Sequence, residues 1–531
     1  MLPKRFKTIA EHVQYSTTRF AEREAIVDGK SRMSFAEFGG VIRATAKALI
    51  ATGVQHGDRV AIWAPNSRHW ATIALGTHFA GGVVVPINTR FKSAEATHII
   101  RSSAVKMLFC VTDFLGVSYL ELLKRTPIAE YVDEIVEIDG DAVPATITFD
   151  DFLTRSATVT ESELTARYKS LGGDDLCQIM FTSGTTGSAK GAMLTHASVC
   201  RSYTSWTKQV GLDNDRYLAV NPFSHTLGLN AGILGCLMTG STIIVQPAFN
   251  AQSVLRLTAE EQITVLTGTP TMFHTILNTN NLDKWNIASL RLAITGGSVV
   301  PPKLINDMHT QLGFDKVVTG YGLAEASGIV TTCHHQDDPQ IIANSSGRAI
   351  SDVEVQVVDD EGRKVPTGTP GEVWIRGYNV MKGYLNDPAR TAEAIDDNGY
   401  LHTGDIGTLD AHGNLKITDR KTDMFIVGGF NAYPAEIEQL MTQHPAVAEA
   451  AVVGVFDDRL GEVGYAFVVP TENSKCDAQA LIDWCRQNMA NYKVPRHVEF
   501  VEVLPRTAVG KVLKHRLRQE LRSTHRKQSH E

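Results

Sequence analysis

The chain has 531 residues, room for three or four domains at about 150 residues each. With 43% hydrophobic and 21% charged residues it can bury a large core, which excludes a disordered tail. Lys plus Arg (51) against Asp plus Glu (58) leaves a net charge of −7, so a nearly balanced surface gives no electrostatic case for a nucleic-acid or membrane-surface protein. The first residues, 1–7, are charged with no apolar stretch behind them, so no secretory leader is expected. Strands are predicted at Arg59–Trp63 and 82–86, with a helix over 70–79 between them, and again at 176–181, before a helix starting at His196. No Asp, Glu, Lys or Arg occurs between Arg216 and Arg256. Asn221, Pro222, His225, Asn230 and the 239–242 turn still cut that stretch into pieces too short to span about 30 Å of hydrocarbon. It reads as soluble core, a buried helix over 229–238 and a strand over 242–246. Strands at 264–267, 292–295 and 316–319 alternate with helical segments, the rhythm of layered α/β structure. From about Val353 the texture turns to short strands, 353–358 and 371–375 among them. The charged segment 419–423 precedes a final stretch of one small domain's length, and the basic end from Lys514 reads as a solvated helix. The last residues, 527–531, carry no peroxisomal or lipidation signal.

The seven cysteines are scattered and form no C-x-x-C pair, so neither a disulfide framework nor a zinc site is expected, and a cytoplasmic location fits. The strongest local signal is Met180-Phe-Thr-Ser-Gly-Thr-Thr-Gly-Ser-Ala-Lys-Gly191. Gly184, Gly187 and Gly191 permit a tight loop whose N–H groups converge on phosphate oxygens. Thr182, Ser183, Thr185 and Thr186 add hydroxyls, and Lys190 a mobile charge. The spacing is not that of a Walker loop. A glycine- and serine-rich linker is the ordinary alternative, outweighed here by the strand before and the helix after.

This run resembles the phosphate-binding signature of the adenylate-forming superfamily of acyl-CoA synthetases, luciferases and nonribosomal adenylation domains. Further signatures follow in that family's order: Thr319-Gly-Tyr-Gly-Leu-Ala-Glu325, Tyr400-Leu-His-Thr-Gly-Asp405, Asp419-Arg420, Gly428-Gly-Phe-Asn-Ala-Tyr-Pro-Ala-Glu-Ile-Glu438, Asn491-Tyr-Lys-Val-Pro495 and Pro505-Arg-Thr-Ala-Val-Gly-Lys511. The likeness runs from about Ala25 to Leu517. It implies an α/β fold with a large N-terminal domain, 1–420, of layered α/β subdomains plus a small β subdomain at about 345–420. A small mobile α+β C-terminal domain, 421–531, would turn on a hinge at about 419–423 that includes Thr422.

The resemblance also implies roles. Lys511 would bridge the substrate carboxylate and the α-phosphate, where two anions must meet and positive charge is the main requirement. Glu325, with Thr185, would hold Mg2+, a hard cation that takes oxygen ligands. Asp405 would accept hydrogen bonds from the ribose hydroxyls, Arg420 would reach ribose or phosphate, and Tyr321 would stack on adenine. Gly297, Ser298, Gly320, Gly322, Leu323, Ala324 and Ile417 would complete the nucleotide site. His225 would stand beside the acyl carboxylate, with Gly228, Leu229, Gly322, Leu323 and Val330 around an apolar acyl pocket. Gly428, Gly429 and Phe430 would line the coenzyme A channel. Three positions depart from the family pattern. Ala324 stands where Thr is usual and removes a hydroxyl contact of ~1.5–3 kcal/mol. Ala189 stands where Pro is common, and Thr422 where Lys or Asp is usual.

Only about 20 residues follow Lys511, too few for a carrier domain of about 50 or more, which favours coenzyme A as thiol acceptor. The implied reaction is therefore ATP-dependent activation of a fatty, aryl or alicyclic acid to its acyl-CoA, with release of AMP and pyrophosphate. Alternatives are a ligase loading a separate carrier protein, a luciferase-type oxygenase, and an inactive nucleotide-binding partner. The sequence leaves the acid and the oligomeric state open, a homodimer included.

Overall fold

Continuous apolar runs bounded by turn residues fold as the strands of two large sheets, the pattern expected of strands buried on both faces. The structure is a computed structural model that describes residues 6–124, 127–140, 146–182, 189–280, 282–296, 300–420, 423–427, 430–457, 460–472, 476–489, 491–507 and 510–528. A seven-stranded sheet has the order Lys190–Thr195, Leu176–Thr182, Val83–Pro86, Arg59–Trp63, Val105–Cys110, Glu134–Glu137 and Ile147–Thr148. It is parallel except for the edge hairpin of Leu176–Thr182 with Lys190–Thr195. A nine-stranded sheet has a parallel centre built from Lys316–Tyr321, Leu292–Gly296, Val265–Gly268, Arg216–Ala219 and Thr242–Val245. Glu24–Asp28, from the start of the chain, extends it by pairing in parallel with Thr242–Val245 (Ile26 opposite Ile243).

Helices cover both sheets, and their starts are written locally. Thr8 with Glu11, Ser34 with Glu37 and Thr160 with Glu163 form reciprocal capping boxes, each satisfying donors that the first turn leaves open. The helix after the first strand starts at Arg68, two residues before the predicted start, because the Ser67 side chain accepts from the Trp70 N–H. Trp63 and Trp70 are fully buried in the core that unites both sheets. The predicted helix over 229–238 is a widened π-type stretch, Leu227–Leu234, running into a short α-helix, Gly235–Thr239. Such widened turns gather at functional sites.

A four-stranded antiparallel sheet follows: Val353–Val358, Gly371–Gly377, Leu401–Leu409 and Leu415–Arg420. Its inner residues, Val373, Ile375 and Leu401 among them, join the large core. The segment read as a loose linker from Asp419 is therefore strand as far as Arg420. Beyond Phe425 lies a separate five-stranded sheet whose side chains alternate between two cores. Val452, Ala466 and Val468 face the helices Pro434–Met441 and Ala478–Asn488, whereas Ala451, Val453 and Phe467 face the last helix, Lys514–Gln528. That helix is not simply solvated: Leu517 and Leu521 pack into the second core, and Lys514 and Arg518 pair with Glu438 and Asp423 at 2.9 Å each. All seven cysteines are free thiols. Among the described residues no helix is long and apolar enough to cross a membrane.

Candidate active site

The edge hairpin of the seven-stranded sheet sets Thr182 opposite Lys190 in register, so these two residues flank the glycine-rich turn. Ser183, Gly184, Thr185, Thr186 and Gly187 lie outside the described residues, as do Gly297, Ser298, Thr422, Gly428 and Gly429. Facing the hairpin, strand Lys316–Tyr321 ends in the motif that carries Glu325. Its sharp return is made by Ser327 (φ 57°) and Gly328 (φ 89°) in left-handed conformations. At Gly322 a Cβ would stand 2.2 Å from the Gly328 carbonyl oxygen, so this turn requires glycine there. Gly320 pairs with Gly296 at the strand ends, and a Cβ on Gly296 would meet the Gly320 oxygen at 2.8 Å.

Glu325 is held from two sides. Thr182 Oγ1 donates to its Oε1 at 3.3 Å, and Tyr384 Oη donates to the same oxygen at 3.0 Å. Among the described residues no donor reaches Oε2. A half-buried carboxylate beside a phosphate-type loop, with one oxygen unengaged, fits a hard divalent cation. Ala324 opens the same short turn, whose N–H and C=O groups close on one another through Ser327.

Asp405 is buried at 4% exposure and accepts from Tyr321 Oη at 2.6 Å, joining the strand-end motif to the β subdomain. In the antiparallel ladder Asp405 pairs directly with Arg420, and Ile417 stands opposite Gly407 on the same two strands. The ribose and hinge motifs, fifteen residues apart in sequence, are thus neighbours.

His225 ends a turn that the fold pins tightly. Asn66, 2% exposed, donates to the Asn221 carbonyl at 2.8 Å and accepts from the Phe223 N–H at 2.7 Å. Asn221 donates in turn to Thr267 Oγ1 at 2.6 Å. Gly228 fits below the turn, where a Cβ would lie 2.1 Å from the Pro222 oxygen. The Leu227 N–H donates to His225 Nδ1 at 3.3 Å, which assigns the proton of the neutral ring to Nε2. The residue itself is solvent-exposed, with protein packed closely around the turn that carries it. Burial, and secondarily the charge of Lys511, hold it down at about 4, neutral at pH 7. Lys511 belongs to the C-terminal domain, so the two domains meet at this point. It sits on an exposed turn where the Thr507 N–H donates to the Lys511 oxygen at 2.7 Å and Gly510 takes φ 85°.

The apolar residues expected around the acyl group divide. Leu323 is half-buried and Gly322 is exposed, whereas Leu229 (2%) and Val330 (0%) are core residues that back the site from behind. Phe430 pairs with Val427 across the turn of the expected coenzyme A loop. Two side chains essential to this geometry, Asn66 and Tyr384, carry no sequence signal of their own. Asn66 precedes an N-cap serine, and Tyr384 follows Gly383, whose φ of 143° marks a special backbone position. Beneath the site, Gln178 and Asn230, both 0% exposed, exchange hydrogen bonds of 2.7 and 3.1 Å and tie the phosphate-loop strand to the π-type helix.

The sequence matches the family described as AMP-binding enzyme over residues 13–385 and the AMP-binding enzyme C-terminal domain over residues 436–511. A 3-[(3aS,4S,7aS)-7a-methyl-1,5-dioxo-octahydro-1H-inden-4-yl]propanoyl:CoA ligase of Rhodococcus jostii (strain RHA1) is 42% identical over 518 residues, covering 97% of this chain and 98% of that protein. The mitochondrial medium-chain acyl-CoA ligase ACSF2 of Macaca fascicularis is 33% identical over 539 residues, covering 97% of this chain and 87% of its own length. Among solved structures, the anthranilate CoA ligase AuaEII in complex with anthranoyl-AMP superposes with a TM-score of 0.90 at 26% identity, covering 98% of each chain.

Proposed function

The chain belongs to the AMP-binding enzyme family and is an acyl-CoA ligase, and from that premise we propose that its acid is a bulky alicyclic propanoate-like carboxylate, activated with Mg2+-bound ATP. The activity is ATP-dependent formation of an acyl-CoA thioester through an acyl-adenylate. The preference for a ring-bearing acid is supported by the Rhodococcus relative, which matches over nearly both full lengths.

The observation that carries the site assignment is Glu325, engaged on one oxygen by Thr182 and Tyr384 beside the hairpin that bears the glycine-rich motif, with Lys511 supplying an ammonium from the C-terminal domain. On this reading the ammonium meets the substrate carboxylate and the α-phosphate as pyrophosphate leaves, neutralising charge where two anions approach. Neutral His225 adds a donor, Nε2–H, toward the acyl carboxylate without a second positive charge. Asp405 takes the ribose hydroxyls, with Tyr321 fixing its orientation and presenting its ring to adenine. Arg420, which pairs with Asp405 in the backbone ladder, would take the ribose or phosphate. Thr182, Lys190 and the loop between them take the phosphates. Glu325 and Thr185 would hold Mg2+, which screens the charge of the phosphates when bound.

We place the domain division at 420/421 and the pivot at 419–423, Thr422 included. A swing there withdraws Lys511 and turns Gly428, Gly429 and Phe430 toward the coenzyme A entrance. The seven free thiols support a cytoplasmic location. A homodimer remains part of the proposal, read by size-exclusion with light scattering. The deciding experiment offers the purified enzyme ATP, Mg2+, coenzyme A and a panel of acids, with thioesters read by mass spectrometry. A hydrindane-type or other alicyclic propanoate should give the highest kcat/KM, with AMP and pyrophosphate as products. A straight medium-chain acid as the best substrate overturns the alicyclic assignment.

A further inference from the structure

We propose that Tyr384 is a positioning residue for the cation-binding carboxylate: its phenol fixes Glu325 so that Oε2 faces the metal–phosphate site. This rests on the assignment of the cation to Glu325 made above. Tyr384 lies far from both nucleotide motifs in sequence, on the segment between strands Gly371–Gly377 and Leu401–Leu409 of the β subdomain. That segment is clamped to the phosphate-loop hairpin by backbone bonds: Met193 N–H to the Gly383 oxygen at 3.0 Å, Lys382 N–H to the Met193 oxygen at 2.9 Å, and Leu385 N–H to the Gly191 oxygen at 2.8 Å. Its Met381 N–H donates to the Glu325 carbonyl at 2.8 Å, so the segment grips the backbone of Glu325 as well as its side chain. The Tyr384 N–H is itself fixed on Thr391 Oγ1 at 2.9 Å, leaving the ring little freedom to drift.

The tyrosine touches both Glu325 and one flank of the loop. Its hydroxyl donates to Glu325 Oε1 at 3.0 Å, and its ring receives the Lys190 ammonium 5.3 Å from the centroid. With Thr182 also on Oε1, both protein donors converge on one carboxylate oxygen and the other is directed away from them. A carboxylate held in one rotamer loses less freedom when a cation arrives.

The test reads Mg2+ dependence. In calorimetric titrations of ATP into the acid-free enzyme, Tyr384→Phe should raise the half-saturating Mg2+ concentration about tenfold, the loss expected for one hydrogen bond to a charged group. ATP affinity measured without Mg2+ should stay within about twofold. In a Glu325→Gln background the same substitution should change the Mg2+ dependence no further, because its effect passes through that carboxylate. An unchanged Mg2+ dependence in Tyr384→Phe beside a large shift in Glu325→Gln overturns the positioning role while leaving the cation site intact. Equal losses with and without Mg2+ also overturn it, assigning the ring to support of the loop. A Glu325→Gln enzyme with unaltered Mg2+ dependence removes the assignment on which the proposal stands.

Discussion

Replacing Lys511 by alanine probes the meeting of the two domains through the titration of His225. The imidazole stands at about 4 against an ordinary 6.5, with burial the larger cause and the Lys511 ammonium the smaller. The ammonium therefore accounts for less than half of that drop. Removing a like charge favours the imidazolium, so the midpoint in Lys511→Ala should rise, while burial still keeps it below the free value. Lys511→Arg keeps the charge and should leave the midpoint where it is. The assay is a proton NMR titration of the His225 ring in the ligand-free enzyme. A midpoint still at about 4 in Lys511→Ala would refute the reasoning, because the lysine then lies elsewhere in solution. The same variant should lose ATP–pyrophosphate exchange by about 10²–10³-fold, the scale of removing one charge-stabilising donor from a transition state. It should largely retain thioester formation from supplied acyl-adenylate. Equal loss of both half-reactions would detach Lys511 from the first step.

Asp405→Ala should weaken ATP binding by about 10–100-fold, the range for a lost hydrogen bond to a charged group, with the KM for the acid nearly unchanged; equilibrium ATP titration checks this. His12, His78 and His196 are buried at 4%, 1% and 1% exposure, and burial is the first cause that lowers each pKa, to about 4 for His12 and His196 and well below the usual value for His78. The folded chain binds fewer protons than the unfolded one below 6.5, so their contribution is complete above that pH and is lost as the pH falls toward 4. Neither ring nitrogen of His78 meets a partner among the described residues, so His78→Leu should flatten the fall of the thermal midpoint between pH 6.5 and 4.

Strands written as unbroken apolar or β-branched runs were readable almost to the residue. Arg59–Trp63 and Val353–Val358 coincide with their predicted bounds, and Leu292–Gly296 extends the prediction by one residue. Apolar runs between turn residues leave little choice of structure there. The widened helix at Leu227–Leu234 was not readable, because a run that is apolar on every side shows no period to distinguish i+4 from i+5 pairing. The charged stretch at 419–420 was expected in the hinge because its strand character comes from hairpin pairing with Leu401–Leu409 and not from an apolar pattern of its own. The chemistry-bearing residues announced themselves as motifs, yet their partners did not. Asn66, which holds the His225 turn, and Tyr384, which holds Glu325, act across 155 and 59 residues of chain. Such pairings are written in the topology rather than in any local pattern.

The short strand Glu24–Asp28 has a consequence for how the molecule is made. Its parallel neighbour, Thr242–Val245, leaves the ribosome more than two hundred residues later. Until then Ala25, Ile26 and Val27, each no more than 2% exposed in the finished protein, have only the adjacent hairpin strand Ser31–Ser34 to pair with. At ~5–20 residues per second that wait lasts roughly 10–40 seconds. The nine-stranded sheet therefore closes late, when Thr242–Val245 docks against a hairpin made long before it.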